Sequence, residues 1–478
     1  MHTKSAAKIA TVGLSALLLA ATVSAQTAEP VVPATTSKVR IVRLSQVKGE
    51  VQLDRANGRG YEPAITNLPV VEGSRLQTGQ GVAEIEFEDN SSLRVAPDSI
   101  VEFPKLERLP VGTTVSSVHL VKGTAYVSLM KTPGNEFNLG FGEQNVSLSA
   151  ASHVRLELAG EQATLAVLEG TVHVENASGA IDVPRKKSAT FQMNQSSTPT
   201  VAKAIADSPL DTWDHSAAQY HSQAGNMSVL SGSPYTYGSS DLSYYGNFAD
   251  SGGCGSMWRP YFASAAWDPY ANGTWAWYQG AGYSWVSPYP WGWMPYHSGD
   301  WSFCPGTGWG WRPGGSWNGL NNIATASQAG KPIHAPVMPA HPPLLGELTL
   351  KGANVKPLVR SEATADSFLF RRDSAGLGIP RDELGKLDKF SLHANDKGIA
   401  RTAIYFQASS SPGVSRGQSA STSIVSMHRG SPAPSESSYS SNSGRSSSAG
   451  VSASNATSSV HASSMASSPG SSGSSGHH

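Results

Sequence analysis

Three groups of residues have types and spacings that invite chemistry. Glu84, Glu86 and Glu88 alternate along one segment and are followed by Asp89. In a strand that spacing sets three carboxylates on one face, a possible cation site. Calcium, however, takes six or more oxygens from a bent loop, so the stripe is expected to be a solvated face. Asp268, Asp300 and His297 stand among aromatic residues, and an acid pair could serve glycoside hydrolysis. The repeat described below matches Asp268 to Met294 rather than to Asp300, so the two acids are not an equivalent pair. Arg185, Lys186 and Lys187 form a small basic patch expected in a solvated turn, and the terminal His477-His478 pair is too short to be a metal site. No GxSxG, HExxH, P-loop or Rossmann phrase occurs. The expectation is a non-enzymatic chain with no catalytic residue, no metal and no cofactor.

The third group is aromatic. Eleven of the twelve tryptophans, and both cysteines, fall in residues 254–317. A shift of 26 residues aligns Trp267 with Trp293, Pro269 with Pro295, Tyr270 with Tyr296 and Gly273 with Gly299. It also aligns Trp275 with Trp301, Gly280 with Gly306, Gly282 with Gly308 and Trp285 with Trp311. Gly and Pro are costly inside helices, whereas aromatic runs flanking a Gly-x-Gly turn read as β-hairpins. Tryptophans inside the register (Trp267, Trp275, Trp285 and their partners) are expected to build a small aromatic core. Those outside it, Trp277, Trp291 and Trp317, are the candidates for exposed ligand contact, glycan or cell-wall material being the natural ligand class.

These groups need elements to position them. At 478 residues the chain is long enough for two or three domains. A formal charge of zero and 15% charged residues imply no general attraction to nucleic acid. Lys4 and Lys8 precede an apolar run at residues 9–23, and Val23-Ser24-Ala25 fits a small-x-small cleavage site before Gln26. Residues 1–25 thus read as a bacterial-type signal peptide, with a retained membrane anchor as the alternative. The expected location is the periplasm, or the secreted or cell-surface fraction, of a Gram-negative-type bacterium, with no membrane span after cleavage. In such a compartment Cys254 and Cys304 are expected to form a disulfide, two free thiols being the alternative.

Residues 38–193 read as strand after strand. Ala83, Ile85 and Phe87 alternate with the glutamates, and Val154, Leu156 and Leu158 are followed by a Gly160-Glu161 turn and by Ala163, Leu165 and Val167. Val47-Lys48-Gly49-Glu50-Val51, Val121-Lys122-Gly123-Thr124-Ala125 and Leu168-Glu169-Gly170-Thr171-Val172 repeat one phrase, with glycine where a strand would bend round a corner. That suits a β-sandwich or short β-solenoid.

These phrases, above all V-V-E-G-S-R-L-Q-T-G-Q-G-V-A-E-I-E-F-E-D-N-S-S-L-R-V-A-P-D-S-I-V at residues 70–101, resemble the FecR domain. The resemblance implies a periplasmic all-β region that receives a signal from an outer-membrane iron-siderophore receptor and passes it, through a membrane helix, to a cytoplasmic segment controlling a sigma factor. This chain is expected to depart from that plan, with no cytoplasmic segment ahead of the apolar run and no membrane helix once the signal peptide is cleaved, so the sigma-regulating half of the role is not expected of it. The tryptophan phrases resemble an uncharacterised region that follows FecR domains in some exported bacterial proteins.

Residues 194–253 read as a linker holding one short helix after Asp207-Ser208, with Pro209, Leu210, Trp213 and Ala217 on a face. Residues 318–343 read as a Pro/Ala linker. Residues 344–406 read as a small strand-and-helix segment, its helix starting at Pro380, and residues 407–478 as a disordered Ser/Gly-rich tail. The fold class is mainly β: a FecR-like β-sandwich or β-solenoid, an aromatic hairpin module and a disordered tail. The expected function is an exported envelope protein acting as a binding, scaffold or signalling module, its partner an envelope protein or glycan. The alternatives are a membrane-anchored FecR-type sensor of an envelope or iron-siderophore signal, and glycan binding through the aromatic module.

Overall fold

The computed structural model describes residues 39–176, 179–194, 198–222, 230, 236–317, 338–342, 350–351, 358–361, 368–369, 373–379, 381–382, 384–397, 401–402 and 404–407. The expected signal peptide at 1–25, most of the 318–343 linker and the expected tail from residue 408 lie outside the described residues.

Two nine-stranded sheets form a β-sandwich. The first runs, in spatial order, Thr200–Ala202, Lys187–Gln192, Gln162–Glu169, His153–Ala159, Thr124–Ser128, Ser92–Val95, Val82–Glu86, Val42–Lys48 and Pro69–Val70. The second runs Gly179–Pro184, Thr171–Asn176, Gln144–Leu148, Glu136–Phe141, Thr114–Lys122, Ile100–Arg108, Arg75–Thr78, Val51–Asp54 and Glu62–Pro63. Neighbouring strands are antiparallel except Glu136–Phe141 beside Thr114–Lys122, which is parallel. The period-2 alternation sends Val42, Leu44, Ala83, Ile85, Leu93 and Val95 of the first sheet, and Val51, Leu53, Leu76, Val101 and Leu120 of the second, into one dry core. Phe87 meets Phe137, and Phe141 meets Phe191, edge to face between the sheets.

The repeated glycine phrase marks the places where the chain crosses from one sheet to the other. Gly49 lies between Val42–Lys48 and Val51–Asp54, Gly123 between Thr114–Lys122 and Thr124–Ser128, and Gly170 between Gln162–Glu169 and Thr171–Asn176. All three have positive φ (72°, 85° and 80°), which a side chain disfavours. At Gly123 a Cβ would also fall 2.7 Å from Ser99 Cα, so the corner has no room for one.

The described residues of 194–253 include the one short helix expected there and hold strands and a second helix besides. Thr200–Ala202 extends the first sheet, and two helices, α1 (Asp211–Ser222) and α2 (Ser239–Tyr245), follow. The Ser208 N–H donates to Asp211, and Trp213 packs edge-on against Tyr126 of the first sheet.

The aromatic module is built on two hairpins whose registers coincide. Trp275 pairs with Trp285 in one, and Trp301 with Trp311 in the other. The matched glycines Gly280 and Gly306 take φ of 77° and 79° at the two turns. The second hairpin joins a four-stranded sheet with Gly246–Asp250 and Ser256–Pro260, while the first is extended by Leu350–Lys351. A short helix, α3 (Met294–His297), stands between the hairpins. Cys254 and Cys304 form a disulfide whose Cα atoms are 6.0 Å apart.

Trp267, Trp275, Trp285, Trp293, Trp301 and Trp311 are all buried. The expected division into inner and outer rings nevertheless fails. Trp291 is fully buried at the centre, stacked on Tyr289 and packed on Trp258, and Trp317 is only 9% exposed, stacked on Tyr237. Trp277 is half-buried against Tyr283. The reason is coverage: the 26-residue register describes two hairpins, but α2, α3 and later segments close over the rings between them.

Residues 381–382 and 384 form turns, so the helix expected from Pro380 begins instead at Leu387: α4 spans Leu387–Lys397. Its preceding segment packs against the aromatic module rather than forming a separate unit, with the Ala375 N–H donating to the Phe262 carbonyl at 2.7 Å.

The disulfide closes a loop of 50 residues. In the chain-entropy picture a loop of that size contributes about 4 kcal/mol. Cys254→Ser combined with Cys304→Ser should therefore lower the urea midpoint by an amount equivalent to about 2–4 kcal/mol. An unchanged midpoint in the paired substitution would show that the bridge constrains nothing.

Candidate functional site

A dense cluster of ionisable groups lies on the outward face of the first sheet, and it is buried. Glu84 and Glu86 are fully buried and Glu88 is 8% exposed. The expected solvated stripe is therefore overturned: α1, α2 and the segment before α4 cover that face.

Cross-strand pairing supplies the first counter-charges. In the hairpin from Val82 to Val95, Glu84 stands opposite Arg94 and Glu86 opposite Ser92, while Arg43 on the next strand stands opposite Glu86. Arg94 Nε donates to Glu84 Oε2 at 2.9 Å, and Arg43 Nη1 to Glu86 Oε2 at 2.9 Å. Distant segments supply the rest. Arg381 Nη1 donates to Glu84 Oε1 at 2.5 Å, Ser45 Oγ donates there at 2.6 Å, and His221 Nε2 lies 2.9 Å away. His221 Nδ1 is 3.7 Å from Glu86. On α2, Asp241 accepts from Arg43 Nη2 at 2.5 Å, from the Tyr220 hydroxyl at 2.7 Å and from Arg381 Nε at 3.0 Å. Arg94 Nη1 reaches Asp214 of α1 at 2.8 Å.

The same row of the sheet continues through Tyr126 and Arg155. Arg155 Nη1 donates to both oxygens of Asp211, and the Tyr126 hydroxyl donates to Asp211 Oδ1 at 2.8 Å. At the other end Glu88 takes two parallel hydrogen bonds from Arg40, each 2.9 Å, and a third from Arg108. A recess beside this pair, between Arg40, Phe87 and Phe137, has about 20 Å³ of free volume, room for one or two waters.

Burial of a carboxylate raises its pKa, yet Glu84 lies well below 4.5. The His221 and Arg381 charges, the His221 hydrogen bond and Arg94 outweigh the loss of water. Asp241 is likewise lowered, burial being overcome first by Arg381 and then by Arg43. Glu84 and Asp241 are therefore held in the charged form, compensated by the arginines around them.

Arg43 also ties the sandwich to the aromatic module, donating to the Pro290 carbonyl at 2.7 Å and to Asn67 Oδ1 at 3.0 Å. Asn67, itself at φ 66°, donates through Nδ2 to the carbonyls of Ser287 and Tyr289. The Tyr278 hydroxyl donates to the Pro69 carbonyl at 2.6 Å, and Arg55 lies over the Tyr278 ring while donating to the Trp277 carbonyl. Sandwich and module thus share a polar seam in which side chains read backbone.

The other residues singled out by sequence do not meet at this site. Asp268 Oδ1 closes a turn by accepting from the Tyr270 N–H, Asp300 is exposed, and Arg185 and Lys186 occupy an exposed turn. His297 is buried against Trp293 and Trp317, and its two ring nitrogens have no hydrogen-bond partner among the described residues. Burial, with a smaller effect from the Arg43 charge, pulls its pKa down to about 3, so the ring is neutral in the fold. Of the network, the Glu84–Arg94 pair is legible in the sequence, because both residues are equidistant from Asp89. Asp241, His221 and Arg381 carry no local signal.

Comparison with known proteins bears on this arrangement. Residues 74–173 match the family described as FecR protein, and residues 239–340 match a family of unknown function, DUF6600. No curated protein matches. Two crystal structures of a "putative anti-sigma factor" from Parabacteroides distasonis ATCC 8503 align at 11% identity, with TM-scores of 0.24 and 0.23. They cover 28% and 27% of this chain, and the aligned parts span about 60% of those chains. The chain thus carries a FecR domain at residues 74–173, followed by a DUF6600 region at residues 239–340. No helix among the described residues is long and apolar enough to cross a membrane.

Removing one partner of a buried ion pair costs about 3–5 kcal/mol, because the other charge is stranded. Glu84→Gln should lower stability by about that amount in urea unfolding, whereas Glu107→Gln, which removes only the exposed pair with Lys105, should leave the midpoint unchanged. Equal effects would show that the network is not buried in solution.

The pH dependence has a definite sign. Below about pH 6.5 an unfolded histidine binds a proton that folded His297 refuses down to about pH 3. Stability should therefore fall by about 1.4 kcal/mol per unit as pH drops below 6.5. Glu84 and Asp241 add to the loss only below about pH 4.5 and 3.8, as their unfolded carboxylates protonate first. His297→Phe should flatten the pH 6.5 to 4.5 limb and leave the more acidic one. A limb unchanged by the substitution would exclude His297 as its origin.

Proposed function

We propose that this is an exported, non-enzymatic envelope protein whose FecR domain serves as a binding, scaffold or signalling module. The observation that carries the reading is the use of the first sheet's charged face within the chain itself. The buried acids there, Glu84, Glu86, Glu88, Asp214 and Asp241, are each paired to an arginine or histidine of the same chain, and α1 and α2 cover them. The outward face of the second sheet, with Gln52, Gln77, Glu102, His119, Asn138 and His173 at alternating positions, keeps its side chains at least partly in water. A partner of the FecR domain therefore meets that face, or its loops, rather than the charged one. Full burial of Trp291 and near-full burial of Trp317 argue against glycan capture through those rings; Trp277 is the ring of the three with accessible surface.

Export rests on the basic and apolar N-terminal pattern with Ala25 before Gln26. The second reading, a membrane-anchored sensor, uses the same stretch as a retained anchor. N-terminal sequencing of the protein recovered from fractionated cells separates the two. Export predicts a chain starting at Gln26 in the periplasmic or extracellular fraction. An intact N-terminus found only with membranes would overturn export in favour of the anchored sensor.

A further inference from the structure

The segment that carries Arg381 lies outside both matched regions, which end at residues 173 and 340. It crosses a groove whose walls come from both. Asp373 accepts from the Ser264 backbone N–H and from Ser264 Oγ. The Phe262 carbonyl and the Trp291 indole bracket Ala375, one accepting from its N–H at 2.7 Å and the other donating to its carbonyl at 2.5 Å. Gly376, at φ 86°, passes so close to the Tyr245 ring that a Cβ would lie 3.0 Å from it. The Tyr245 hydroxyl donates to the Ile379 carbonyl at 2.7 Å, and the Ile379 side chain is buried.

Arg381 then enters the charged layer. Its guanidinium lies over the Tyr220 ring and donates to Glu84, to both oxygens of Asp241 and to the Ser45 carbonyl. Side chains reading a peptide's backbone, a glycine demanded by close approach and an arginine seated in an acidic socket are the features of peptide recognition. They differ from the interior of the sandwich, which is held by ladders and apolar contact.

We propose that the segment bearing Asp373–Ile379 and Arg381 is an intramolecular peptide ligand, and that the groove is a peptide-binding site selective for an arginine seated between Glu84 and Asp241. Tethering gives the chain's own segment a high effective concentration, so the groove is closed to outside peptides while the chain is intact. A competing segment needs a glycine and a buried aliphatic residue ahead of an arginine. The inference stands apart from export, since it concerns only residues within the folded chain.

The test uses the full chain with a specific protease site inserted between residues 343 and 349. After cleavage the released segment should co-elute with the body of the protein on size exclusion. A labelled synthetic peptide of residues 370–391 should then replace it, as read by fluorescence anisotropy. The same peptide carrying Arg381→Ala should compete at least about 100-fold less well, because it leaves Glu84 and Asp241 underpaired. A nicked Asp241→Asn protein should bind the unaltered peptide more weakly. Three results would overturn the proposal: loss of the segment at once on cleavage, equal competition by the Arg381→Ala peptide, or unfolding of the body, seen by near-ultraviolet circular dichroism, when the segment leaves. The last would make the segment a part of the core rather than a ligand.

Discussion

Everything outside the sandwich core depends on one constraint: carboxylates on the covered face of a sheet must find cations. Moving a carboxylate out of water into a protein interior costs several kcal/mol even after relaxation, and only close, well-hydrogen-bonded partners offset that. Glu84 and Glu86 are fixed on the covered face by the strand period, since Ala83 and Ile85 must face the core. Their partners are Arg94 in the same hairpin, Arg43 on the adjoining strand, His221 on α1 and Arg381 near the end of the described chain. With Asp241 of α2 bridging Arg43 and Arg381, compensation therefore requires closure of three separate segments, α1, α2 and the one before α4, over one sheet.

Such closure sets the division of labour in the molecule. The sandwich contributes rigidity through its ladders and glycine corners. The DUF6600 region contributes Asp241, which bridges Arg43 and Arg381, and a set of backbone carbonyls that Arg43, Asn67 and Arg55 read. Because these contacts run from buried side chain to backbone, they are insensitive to which side chains the module carries at Ser287, Tyr289 and Pro290. Tryptophan supplies what the module lacks in aliphatic bulk. Trp291 alone meets Trp258, Trp267, Tyr289, Tyr296 and Trp301, and its indole N–H also holds the Ala375 carbonyl.

Much of the fold was legible from local pattern. Alternation located the strands around Ala83, Ile85 and Phe87, the repeated glycine phrase located the sheet-crossing corners, and the 26-residue register located both hairpins with their Trp–Trp pairs. The charged site was half legible. Hairpin symmetry about Asp89 sets Glu84 against Arg94, but alternation tells which residues share a face and not what covers it, so it leaves the glutamates on a solvated face. The ranking of tryptophans failed for the same reason: Trp291 lies outside the register, yet α2, α3 and the segment before α4 enclose it.

The sequence by itself determined local geometry and its chirality: where strands run, where only glycine turns the corner, which rings pair across a hairpin. Those follow from steric and periodic rules acting over a few residues. Tertiary structure alone decided burial and charge compensation. Asp241 and Arg381 meet across 140 residues, and Arg381 and Glu84 across 297. Coulombic pairing depends on distance in space and on exclusion of water, and neither quantity is written in the spacing of residues along the chain.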